Sequence, residues 1–127
     1  MPGTVRELIG VYDADGTLMG EVRYWIGARL GRTHCALCDI THGTFAERTD
    51  WRQCRDQLGV DFRTFHRNDA PADVLEAGGE PAFVVARTDH GLVRLMGPSE
   101  LAACGGDVEQ FREALSRACA GRQLDGI

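Results

Sequence analysis

The chain has 127 residues, 43% of them hydrophobic and 26% charged, with a formal net charge of −5. That size and balance suit one domain, residues 1–127, with a hydrophobic core that needs no staples, and no apolar run is long enough to span a bilayer. All 14 basic residues are arginine, so no lysine exists to form a Schiff base or serve a P-loop, and an acidic total without a basic stripe argues against nucleic-acid binding.

The first element is a strand over about 7–13, where ELIGVYD is rich in β-branched and aromatic residues. DADG follows as a loop. Apolar residues at 18, 22, 25, 26 and 30 then keep helical spacing, which predicts a helix over about 17–30 ending before Gly31. RTHCALCDITHG (32–43) has no clear period. Asp50 and Gln53 form a capping pattern for a helix over 51–58, with Trp51, Cys54 and Leu58 on one face and Gly59 as its stop. VDFRTFH (60–66) alternates as a second strand. Asp69, an early proline and terminal glycines mark a short helix over about 70–77. PAFVVAR and GLVRLMG form an antiparallel hairpin through a Thr-Asp-His-Gly turn. PSELAAC gives one helical turn. Asp107 and Gln110 cap a last helix over about 107–120, with Val108, Phe111, Leu115 and Ala118 on one face.

The predicted class is α/β, a four-stranded mixed sheet in the order β-α-[Cys/His segment and extra helix]-β-α-β-β-α. Without the bracket this order resembles that of thioredoxin-like proteins. Pro81, just before the third strand, stands where those proteins keep a cis-proline against the active site. In thioredoxins the Cys-x-x-Cys opens the first helix; here DADGTL holds that place and Cys35-Ala-Leu-Cys38 comes after the helix, so the dithiol is relocated. The stretch HCALCDITHG, with Trp51 and the pair His66-Arg67 downstream, also resembles a family of small bacterial proteins with a Cys-x-Leu-Cys-x-x-Thr-x-Gly motif. Some of its members carry the label GTPase, but this chain has no G-x-x-x-x-G-K-[ST].

Chain routing connects the dithiol to the sheet. The two parallel strands point to one edge, the top. A helix of ~14 residues descends roughly 20 Å at about 1.5 Å per residue. Segment 32–49 must then climb back before the next helix descends into the second strand, and its length at up to ~3.3 Å per residue allows this. Cys35, Cys38, His66, Asp15 and Pro81 are therefore expected to converge at the top, where sites of α/β sheets lie.

Two chemistries fit such a cluster. In the redox reading Cys35 attacks, Cys38 resolves, an imidazolium from His34 or His66 stabilises the thiolate, and Asp15 orients or transfers a proton. The resemblance adds Pro81 and Arg67 on the substrate side and implies a thiol–disulfide oxidoreductase acting on a small-molecule or protein thiol or disulfide partner. In the metal reading Cys35 and Cys38 with His34, His42 or His66 hold zinc in a Cys2His or Cys2His2 site. A third reading is a non-catalytic interaction module. Cys54, Cys104 and Cys119 read as structural, and five cysteines, an odd number, argue against a disulfide framework. The opening MPGTVRELIG lacks the features of a secretion signal, so the expected location is cytoplasmic.

Overall fold

Val5, Leu8, Ile9, Val11 and Tyr12 are all buried, because their strand lies at the centre of a sheet and is covered on both faces. The computed structural model describes residues 3–13, 37, 40 and 49–125. That central strand is β1 (Gly3–Tyr12). It is followed by α1 (Thr49–Asp56), β2 (Asp61–His66), α2 (Ala72–Gly78), β3 (Phe83–Thr88), β4 (Gly91–Met96), α3 (Pro98–Ala103), α4 (Val108–Gly121) and β5 (Leu124–Asp125). The helix expected over 17–30 lies outside the described residues.

The protein is α/β with a mixed sheet. Strand order is β2-β1-β3-β4, with β5 pairing β1 off this path. β1 and β2 are parallel, β1 and β3 antiparallel, β3 and β4 antiparallel. Parallel strands need a long crossover, which the chain between Tyr12 and Asp61 supplies. On one face Leu8, Tyr12, Phe62, Val84, Ala86 and Leu95 meet α1, α3 and α4. On the other Ile9, Val11, Phe83 and Val85 meet Val74 and Leu75 of α2. The period-2 alternation of each strand thus feeds two separate cores.

The larger core is organised by three rings. Trp51 lies 4.9 Å from Phe62 and 5.6 Å from Phe111, and Phe62 lies 6.1 Å from Phe111, all edge-to-face. Such pairs add about 0.5–1.5 kcal/mol each beyond their buried area. Trp51, Cys54 and Leu58 share the buried face expected of them. Leu58 reaches it through a tight turn in which its N–H donates to the Arg55 carbonyl at 3.2 Å.

Several boundaries differ from the sequence reading. β1 begins at Gly3 rather than near residue 7, because long-range partners hold its start. Gly3 pairs with Leu124 and Val5 with Thr88, and the Thr4 N–H donates to the Asp89 carboxylate at 2.9 Å. Among the described residues the sheet has five strands rather than the four expected, because Leu124–Asp125 returns along β1 after Gln123 turns the chain at φ 57°. Asp69 does not cap α2. Pro71 occupies that position with no side-chain hydrogen bond, and Asp69 closes the preceding turn instead. Asp107 does cap α4, its carboxylate accepting from the Gln110 N–H at 3.1 Å. No helix among the described residues is long and apolar enough to cross a membrane.

Candidate functional site

The carboxyl ends of β1 and β2 and the start of β3 share one edge of the sheet. Tyr12 is in register with His66, and Val11 with Phe83. Pro81, two residues before Phe83, therefore enters at the edge where His66 leaves. Arg67 and Asp13 follow their strands onto the same edge and form an ion pair at 3.4 Å.

His66 is fixed there by the turn HRND. Its own N–H donates to Asp69 Oδ1 at 2.6 Å, and its carbonyl accepts from the N–H groups of Asp69 and Ala70 at 3.1 Å each. The second Asp69 oxygen, Oδ2, lies 3.3 Å from His66 Nδ1. A carboxylate only accepts, so as a hydrogen bond this contact places the proton on Nδ1. The Tyr12 ring lies 5.5 Å from the imidazole, tilted by 50°. The His66 side chain is 26% exposed.

Between Leu8 and Tyr12 on the same face, Gly10 leaves a gap. A Cβ there would stand 3.0 Å from Leu37 Cδ2 and 3.1 Å from Phe62 Cε1. Leu37 fills this gap and is fully buried, as is Ile40; both are helical and both belong to the larger core. Leu37, the residue between Ala36 and Cys38 in sequence, is thus packed on the sheet face that carries Tyr12.

Pro81 stands in a constrained corner. The cis peptide of the described residues joins Pro81 to Ala82, one bond later than a cis-proline would place it. Just upstream, α2 ends at Gly78, where a Cβ would overlap the buried Phe83 ring. The Gly78 carbonyl accepts from Arg94 Nε at 3.2 Å. Helix end, strand start and hairpin partner are thereby fastened together beside Pro81.

Of the expected site residues, the structure brings His66, Arg67 and Pro81 to one edge. Asp15, His34, Cys35, Cys38 and His42 lie outside the described residues. No group of three or more His, Cys, Asp or Glu able to hold a metal occurs among the described residues. Tyr12, Asp13 and Asp69 were missed by sequence reasoning. The detectable signals were Asp69 three residues after a strand-end histidine, the spacing of a side chain that closes a turn, and Tyr12 two residues beyond Gly10 on one strand face.

The remaining cysteines are free and buried. Burial pushes the thiols of Cys54, Cys104 and Cys119 up, each against the opposing pull of a nearby arginine, Arg112, Arg117 and Arg122 in turn. They behave as small apolar residues, as their helix-face positions implied. His90 sits half exposed in the β3–β4 turn. Comparison with protein-family models, with curated proteins and with solved structures finds no match to this chain.

Proposed function

We propose that the chain is a thioredoxin-like thiol–disulfide protein using Cys35 and Cys38 as its dithiol. The observation that carries this reading is the anchorage of Leu37 over Gly10, on the sheet face of Tyr12 and its neighbour His66. The reading requires the dithiol that flanks Leu37 in sequence to meet the His66 imidazole at the sheet edge. The strand order β2-β1-β3-β4, with Pro81 two residues ahead of β3, supports the thioredoxin-like assignment.

In the proposed cycle the Cys35 thiolate attacks one sulfur of a partner disulfide. A mixed disulfide forms and one partner thiolate leaves. The Cys38 thiolate then attacks the Cys35 sulfur, releasing the second partner thiol and leaving a Cys35–Cys38 disulfide. The partner, a small molecule or a protein, is reduced by two electrons and this protein is oxidised by two. His66, its Nδ1 held by Asp69, stabilises the thiolate as imidazolium and returns a proton to the leaving thiolate. Asp15 assists proton transfer, and Arg67 and Pro81 face the partner.

Thiol and metal analysis of one preparation, purified without chelator, tests this. A mild oxidant should remove two of the five thiols, dithiothreitol should restore them, and mass mapping should find the bond between Cys35 and Cys38. A stoichiometric zinc ion lost in Cys35→Ser would overturn the redox reading and assign Cys35, Cys38 and one or two of His34, His42 and His66 as ligands. Five unresponsive thiols and no ion would leave an interaction module.

A further inference from the structure

Away from the sheet edge, β4, α3 and α4 enclose a cleft of about 450 Å3, within the range of small-molecule sites. Its construction follows from the faces of α4. Phe111, Leu115 and Cys119 point into the core. The adjoining stripe is Gln110, Ala114, Arg117 and Ala118, all lining the cleft. The two alanines leave room where larger residues would close it. Leu95 and Met96 of β4 form the apolar floor together with the buried Cys104.

The charges at the rim are unequal. Arg117 and Arg122 line it against a single carboxylate, Glu100. Glu100 is already engaged, since its Oε1 accepts from the Gly97 N–H at 3.1 Å and lies 3.9 Å from Arg94. Arg122 donates to the Ala118 carbonyl at 3.0 Å. Arg117 makes no hydrogen bond or carboxylate pair among the described residues, yet its charge is felt at the Cys104 thiol. That thiol donates to the Glu100 carbonyl at 3.5 Å, and burial outweighs Arg117 to keep it protonated. The floor is therefore neutral and apolar, with cationic groups above it.

We propose that this cleft binds a small free carboxylate with a short apolar tail, the tail on Leu95, Met96 and the alanines and the carboxylate on Arg117 and Arg122. Guanidinium donors suit a planar carboxylate, and the apolar floor beside the small alanines of α4 suits an unbranched chain. The site is separate from the proposed dithiol and does not depend on it.

Calorimetric titration with octanoate tests it. Saturable one-to-one binding is expected. Octanol, with the same tail and no charge, should bind at least about tenfold more weakly, as should octanoate to Arg117→Glu and to Ala114→Leu. Arg117 is exposed, so Arg117→Glu should keep the wild-type melting profile even if the fuller Ala114→Leu does not. Cys35→Ser should bind octanoate unchanged. No saturable uptake by the wild type, or equal affinity in Arg117→Glu, would overturn the proposal.

Discussion

Gly10 is the residue on which the proposed site turns. Any side chain there must displace Leu37 or Phe62, which stand 3.0 and 3.1 Å from the position of its Cβ. Gly10→Val should therefore cost about 1–3 kcal/mol of stability, as overpacking does, read from denaturant midpoints. Under the dithiol reading it should also slow disulfide exchange by lifting the segment that carries Cys35 and Cys38. A second residue acts far from that edge. Thr88 is buried, donates to the Gly91 carbonyl at 2.7 Å and accepts from the His90 N–H at 3.0 Å. Thr88→Val removes both bonds at nearly constant volume and should cost about 1–3 kcal/mol, with a midpoint within 0–0.5 kcal/mol of wild type contradicting that hydrogen-bonded role.

Among the elements, α4 was the most legible. Asp107 followed by Gln110 and a period of apolar residues marked its start, and Asp107→Ala should lower stability by about 1 kcal/mol. The buried face of Trp51, Cys54 and Leu58 was legible from its period, but the helix ends at Asp56 rather than at Gly59 and begins at Thr49, so Asp50 lies inside it and Leu58 in the turn that follows. Asp69 was misread because an aspartate before a proline and an apolar run looks like a cap. Only the backbone bend after His66 shows that its carboxylate turns back on the strand. β5 was not legible at all, since a two-residue strand has no period and owes its existence to the open start of β1. Of the expected site, the edge built by His66, Arg67 and Pro81 could be read from strand direction. The pairing of His66 with Asp69 could not, because it depends on turn geometry rather than on spacing along an element.

Across the whole molecule, the three buried thiols of the larger core shape the alkaline side of the stability profile. Burial raises the pKa of Cys54, Cys104 and Cys119 in the folded state. Unfolded, each titrates near about 8.5. Below that value both states hold the protons and the contribution to stability is fully present. Above it the unfolded chain binds fewer protons than the folded one, so stability falls as pH rises toward the folded values. Denaturant midpoints should be level near neutrality and decline on the alkaline side, with a shallower decline in Cys119→Ala. The same three thiols should resist alkylation in the native state and react on unfolding.

The account rests on a dithiol meeting an imidazole at the end of β2, and the pH dependence of Cys35 alkylation measures that meeting most directly. In a Cys38→Ser background, the rate should rise with a midpoint below the free-thiol value of about 8.5, and His66→Ala should return it to that value. A midpoint at or above the free-thiol value, unchanged by His66→Ala, would contradict the proposed convergence.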